Sequence, residues 1–313
     1  MELKVIEMTC QAGVGRITLN RPHRHNAWTG RMHTEYRWAL AELEADPLVR
    51  AVMVTGAQRS FCVGGDAQAL KGHSDKGGYD PGTPDPLARP GYGVMPEFDA
   101  PFAYHFGLTK PVIAAINGAA AGVGLALAMF ADLKFAVPGA VFTTAHGKLN
   151  FPAEYGLSWL LPRMIGLTRA NELLLSSRRF SSEEALSMGL INGLYEADVL
   201  IDSVQAYAEA LVAQNAPDAL RVTKHQIYRD LHRDVATSVH YSEQQLTRMS
   251  RTPDFKEGVA IRSTGTGSGG RRGISLGKSG AWRPPFFRGK NRTGKTGGRP
   301  EVSGSLRRIA TRV

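Results

Sequence analysis

The stretch KPVIAAINGAAAGVGLALAMFAD, Lys110 to Asp132, decides the fold. PVIAAI is a continuous apolar run, the pattern of a strand covered on both faces. Asn117-Gly118 ends it, a Gly/Ala turn runs to Gly124, and LALAMFAD reads as a short buried helix. The same succession stands upstream. VRAVMVTG, closed by Gly56, is an equally apolar strand, and it leads into the turn Ser60-Phe61-Cys62-Val63-Gly64-Gly65-Asp66. LKFAVPG, directly after Asp132, is a third such strand. Repeated strand–turn–helix units predict an α/β fold.

Outward from these units, LKVIEM and GRITLN read as a hairpin around Gln11–Gly15. Thr29 is positioned to cap a helix from Gly30 to about Glu44, which Asp46-Pro47 breaks. Residues 71–96 hold six Gly and five Pro, which predicts a long mobile loop. From Ser158 onward the apolar period is helical, and the helices from Val199 to Ser250 read as packing and assembly surfaces. The resulting division is a core over 1–200, a helical assembly region over 201–261 and a tail over 262–313.

The tail decides how charge is read. The 313 residues carry a net charge of +10, which taken whole suggests a polyanionic partner. Yet 13 of the 38 Lys and Arg, and only one of the 28 acidic residues, lie after Ile261. The tail is thus +12 and the remaining body −2. Segments such as STGTGSGGRRG bury too little apolar surface to offset chain entropy, so the tail reads as disordered. It is either a basic arm or an out-of-frame extension, and the abrupt change at Ala260–Arg262 favours the second. Trp282, Phe286 and Phe287 among arginines could stack on bases, but thirteen such charges bind nucleic acid only nonspecifically. Cys10 and Cys62 have neither disulfide-framework nor metal-ligand spacing. No secretory signal and no apolar run long enough to span a bilayer is visible, so a cytoplasmic setting without membrane attachment is expected.

The two glycine turns carry the candidate chemistry. Glycine allows positive φ and close backbone approach, and two free N–H groups aimed at one point would make an oxyanion hole. Neither turn is a nucleotide fingerprint.

Five segments, in this order, carry a resemblance: ITLNRPHRHNAW (17–28), RAVMVTGAQRSFCVGGD (50–66), KPVIAAINGAAAGVGLALAMFADLKFA (110–136), AEYGLSWLLPRMIG (153–166) and RRFSSEEALSMGLINGLY (178–195). Together they resemble the enoyl-CoA hydratase/isomerase, or crotonase, family from Leu3 to about Val259. The resemblance implies a crotonase-like spiral of stacked ββα units with a C-terminal helical trimerisation region, giving a homotrimer or hexamer. It implies an acyl-CoA thioester as ligand and no cofactor or metal, coenzyme A being part of the substrate. The thioester oxygen would accept hydrogen bonds from the backbone N–H of Gly65 and Val123, where most members have Gly at the second position. Arg24, Asn26 and Ala27, with Asp66, Ala67 and Leu70, would border the CoA nucleotide. Arg24 is a phosphate partner or simply a solvated arginine.

The same resemblance exposes a departure. Where hydratases carry two catalytic glutamates, this chain aligns Ala126 and His146. The remaining candidate is Glu154, where some family members carry an aspartate. A carboxylate in an apolar pocket gains a raised pKa suited to proton transfer; the alternative is a glutamate favouring the dipole of the following helix. His146 titrates near neutrality and is either an acid/base group or a packed core histidine. Tyr104 and His105 could line the acyl pocket. The expected activity is enoyl-CoA hydratase-like, a hydro-lyase. The alternatives are a 3-enoyl to 2-enoyl-CoA isomerase working with one carboxylate, and a catalytically silent acyl-CoA binder.

Overall fold

A computed structural model of the chain describes residues 1–76 and 95–264. Most of the loop expected over 71–96 lies outside the described residues. So does the tail from residue 265 onward, with the roles considered for its basic and aromatic residues.

Strands β1 (Ile6–Gln11) and β2 (Val14–Leu19) form the expected hairpin, turning at Ala12-Gly13. Helix α1 (Gly30–Ala45) follows, and Thr29 caps it by accepting the N–H of Met32 at 3.1 Å. Then comes a recurring unit. Strand β3 (Ala51–Gly56) is followed by β4 (Ser60–Cys62) and helix α2 (Ala67–Lys76). The short helix α3 (Tyr104–Gly107) leads to β5 (Val112–Ile116), β6 (Ala119–Ala121) and α4 (Val123–Met129). Strands β7 (Leu133–Ala136) and β8 (Val141–Thr143) precede two 3-10 turns and α5 (Leu157–Ser176).

The first strand of each unit joins a six-stranded sheet ordered β1-β2-β3-β5-β7-β10, and the second joins a four-stranded sheet ordered β4-β6-β8-β9. Here β9 is Phe180–Ser181 and β10 is Gly193–Leu194, separated by helix α6 (Ser182–Met188). Neighbouring β3, β5 and β7 pair in parallel, as do β4, β6 and β8. A chain that visits one sheet, then the other, then a helix, and repeats, is a spiral of ββα units. All of β3 and β5 is buried, as their unbroken apolar runs require.

Two readings change. The glycine-bearing stretches read as turns each contain a short strand of the second sheet, β4 and β6; three residues are too few for alternation to register. The segment from Lys71 to Lys76 is helical, completing α2, because its Gly and Pro content is concentrated further along.

Three glycines explain how tightly the units stack. A Cβ on Gly118 would stand 2.0 Å from the Arg59 carbonyl oxygen, and one on Gly124 would stand 2.1 Å from that of Cys62. One on Gly56 would stand 2.1 Å from the Ser60 carbonyl oxygen. At each point only hydrogen fits. The C-terminal helices are α7 (Leu200–Gln214), α8 (Pro217–Asp230), α9 (Val235–Met249) and α10 (Pro253–Thr264). A buried ion pair ties α8 to the sheet, with Lys224 Nζ 2.9 Å from Asp132 Oδ2, while Asp132 also accepts from Tyr228 at 2.6 Å.

Candidate active site

The site forms where the two glycine stretches meet. Gly64 has φ 106°, and a Cβ there would stand 3.3 Å from the Ala121 carbonyl oxygen. Gly122 has φ 50°, and its absent Cβ marks a point 4.0 Å from Gly64 Cα and 3.5 Å from Glu154 Oε2. Both turns and the candidate carboxylate thus converge on one locus.

Among the described residues, each turn leaves an N–H without an acceptor. Gly65 forms a parallel bridge with Trp28, in which Gly64 C=O accepts from Trp28 N–H at 2.8 Å and Asp66 N–H donates to Trp28 C=O at 2.9 Å. In extended backbone successive N–H groups alternate in direction, so that of Gly65 points away from Trp28. Val123 opens α4, whose first turn has no intrahelical acceptors; the first helical bond runs from Ala126 N–H to Gly122 C=O at 3.0 Å.

Arg21 and Asp66 fix the first turn. Arg21 donates to the Ala27 carbonyl at 2.6 Å and to Asp66 Oδ2 at 3.0 Å, and Asp66 Oδ1 accepts the Gln68 N–H at 2.9 Å. Burial alone would raise the Asp66 carboxyl, but the Arg21 guanidinium and the N–H groups of Gln68 and Ala69 hold it below the usual carboxylate range. Asn26 is wholly buried; its amide donates to the carbonyls of Ala57 (2.9 Å) and Ser60 (2.7 Å), and its oxygen accepts the Arg21 N–H at 2.9 Å. The side chains of Asn26 and Asp66 are therefore committed to the protein itself, and what they offer a ligand is the shape of the backbone around them. Arg24 and Ala67 are exposed, and Leu70 covers Gly65, 3.4 Å from where its Cβ would be.

Glu154 opens a 3-10 turn ahead of α5 in which Tyr155 and Gly156 both have positive φ, 49° and 77°. Among the described residues its carboxylate has no hydrogen-bond or ion-pair partner, and burial raises its pKa. His146 is buried on the preceding 3-10 turn, and among the described residues its Nδ1 has no hydrogen-bond partner. Its backbone N–H bonds the Thr144 carbonyl at 2.7 Å, and that oxygen lies 3.9 Å from the Gly122 Cβ position. Ala126 is buried in the first turn of α4. Cys62, under the same turn, is wholly buried, and burial pushes its thiol up to about 12.

A cavity of about 350 Å³ opens beside Glu154, with Tyr155 and Gly156 in its wall. Tyr104 and His105, the residues considered for the acyl pocket, do not line it. Ala103, which precedes α3, and Phe106, three residues on, turn to the cavity, and Tyr104 and His105 turn into the core. His105 Nε2 lies 2.8 Å from the Tyr36 hydroxyl, and burial, aided by the Lys224 charge, lowers its pKa to about 3. Sequence reading missed Arg21, whose partner is 45 residues away, and Trp159 and His232 of the cavity wall, which no local pattern links.

The enoyl-CoA hydratase/isomerase family model matches residues 9–262. The chain belongs to the enoyl-CoA hydratase/isomerase family. It is an acyl-CoA-processing enzyme of the crotonase type. The 1,2-epoxyphenylacetyl-CoA isomerase of Escherichia coli (strain K12) is 33% identical over 252 residues, which cover 80% of this chain and 92% of that protein. The probable enoyl-CoA hydratase EchA12 of Mycobacterium tuberculosis (strain ATCC 25618 / H37Rv) is 35% identical over 257 residues, covering 80% and 86%. The crystal structure of enoyl-CoA hydratase from Bacillus anthracis superposes with a TM-score of 0.73 at 25% identity, covering 86% of this chain and 99% of that one. These likenesses agree with the spiral of ββα units expected from the sequence. No helix among the described residues is long and apolar enough to cross a membrane.

Proposed function

We propose that this crotonase-family enzyme shifts the double bond of a 3-enoyl-CoA to the 2-position, with Glu154 as the single proton carrier. The observation that carries this reading is a partly buried carboxylate, without a partner among the described residues, 3.5 Å from the Gly122 Cβ position, where the two turns meet. The thioester oxygen accepts from Gly65 N–H and Val123 N–H. Glu154 removes a proton from the carbon beside the carbonyl, and the electron pair moves onto the oxygen as an enolate. The two N–H groups stabilise that charge. The protonated Glu154 then returns the proton to the γ carbon, the electrons fall back, and the double bond lies between the α and β carbons. No external acid, base, cofactor or metal enters the balance. Arg24, Ala67 and the backbone around Asn26 and Asp66 border the CoA nucleotide.

Hydration of a 2-enoyl-CoA is the second reading. The unpartnered Nδ1 of His146, one carbonyl away from Gly122, favours it as the group that would handle the second proton. Conjugated-thioester absorbance separates the two. With a 3-enoyl-CoA, isomerisation raises the signal, and Glu154→Gln lowers that rate by roughly 100-fold or more. Loss of signal from crotonyl-CoA, slowed by His146→Ala, would replace isomerase by hydratase. CoA-ester binding without either change would make the chain a silent binder.

We also propose assembly through the C-terminal helices, as a trimer or a pair of trimers. Helix α9 buries none of its fifteen residues, and Val235 (80% exposed), Val239 (50%) and Leu246 (67%) recur at helical spacing.

A further inference from the structure

The carbonyl locus leaves open what the acyl group is. The cavity beside it has an unusual lining. Six rings face it: Phe98, Phe106, Phe130, Tyr155, Trp159 and His232. The rest of the wall is small or kinked (Ala, Pro and Gly), with one charged residue, Glu97, which Arg229 holds at 3.0 Å. Among the described residues that line it there is no Leu, Ile, Val or Met. Branched and flexible aliphatic side chains are what usually adapt to a bending alkyl chain; this wall has none.

The rings are also held in place. Phe106 lies between Phe130, at 5.2 Å between centroids, and Tyr228, stacked at 3.7 Å. Phe98 meets Phe106 edge-on at 6.4 Å, and Trp159 is stacked with His232 at 5.5 Å and covered by Arg163 at 4.3 Å. A wall of fixed rings presents faces and edges in set directions. A flat ring can answer these with offset or edge-to-face contacts, which stabilise beyond the area they bury. Size and reach agree. A cavity of about 150 Å³ accepts benzene, so one of about 350 Å³ has room for a ring and its linker. Phe130 stands seven residues beyond Val123, about 10 Å at a helical rise. Gly156 adds no side chain between Glu154 and Phe130; even a Cβ there would reach to 3.5 Å from Phe130 Cζ.

We infer that the acyl group this enzyme takes is aromatic: a ring carried one or two carbons from the thioester carbonyl, seated between Phe130 and Trp159. This rests on the acyl-CoA thioester reading of the site, and the test keeps the two apart. Binding of phenylacetyl-CoA, hexanoyl-CoA and free CoA to the full chain is measured by calorimetry, with wild type, Trp159→Leu and His232→Ala. Phenylacetyl-CoA should bind roughly tenfold tighter than hexanoyl-CoA. Trp159→Leu keeps the wall apolar and should weaken phenylacetyl-CoA far more than hexanoyl-CoA, removing that preference. His232 is exposed, so its alanine variant tests one ring without risk to the core, and it should lower the preference by roughly threefold. Hexanoyl-CoA binding as tightly as phenylacetyl-CoA, or a preference untouched by both substitutions, would overturn the inference. If neither ester outbinds free CoA, the thioester reading itself fails and takes the inference with it.

Discussion

The two walls of the site are built from different material. The wall at Gly64-Gly65 and Gly122-Val123 is backbone, placed by strands β4 and β6 and by glycines whose neighbours leave no room for a side chain. The cavity wall is side chain, drawn from α3, α5, the turn before α5 and the segment after α8. The first cannot vary without loss of the fold. The second can be replaced ring by ring. On the proposed mechanism, the difference separates the part of the chain that would set the kind of reaction from the part that would set the choice of substrate, with Glu154 between them.

The sharpest way to break that contrast is to put a side chain on the backbone wall. Gly124→Val places carbon 2.1 Å from the Cys62 carbonyl oxygen, where nothing flexible can yield. It should destabilise the protein by about 3 kcal/mol or more, read as a lowered urea midpoint, and abolish turnover. A variant of near-native stability would mean that this wall is not rigid. Glu154→Gln comes next, with the roughly 100-fold or greater loss given above and little change in affinity for the ester. Since burial raises the Glu154 carboxyl by disfavouring its ionised form, the neutral amide should also lift the melting temperature slightly. A fall in melting temperature would instead assign Glu154 a structural role.

Arg21→Met sharpens the comparison at intermediate strength. It removes the partner of the buried Asp66 and frees the loop that carries Gly65. Turnover should fall roughly tenfold, with KM for the ester moving less, because an N–H displaced by a fraction of an ångström fails the enolate more than the ground state. Equal loss in both parameters would mark Arg21 as a stabilising residue only. The same pair gives a stability signature: the Asp66 carboxyl is held low in the fold, so its contribution is present above the usual carboxylate range and lost as pH falls. The smallest effect is on pH dependence. Glu154 works as the ionised base, so turnover should drop on acidification, with a midpoint above that of an ordinary glutamate. A midpoint at or below the ordinary value would contradict its desolvated position.

Much of the backbone wall was legible in the sequence, because it is written in local signals: apolar runs ended by glycine, repeated at matching places. Thr29 as a cap and the Gln11–Gly15 hairpin were legible for the same reason. The short strands β4 and β6 were not, since three residues show no period. The side-chain wall was opaque. Trp159 and His232 stack only because α5 and the segment after α8 meet in space, and a four-residue helix does not declare that Tyr104 and His105 are buried in the core. For Asn26 and Asp66 the structure adds hydrogen bonds from Arg21 and, for Asn26, to the carbonyls of Ala57 and Ser60, which are not written in their neighbours.

Cys62 lies buried under the second glycine turn, and the sequence holds only one other cysteine, Cys10, exposed on β1. Thiol-directed reagents act on the thiolate, which Cys62 does not form near neutrality. The native protein therefore behaves as a single-thiol molecule. A maleimide dye or spin probe will attach at Cys10 alone, on the β1–β2 hairpin, and report on assembly or unfolding without engineering and without touching the glycine turns.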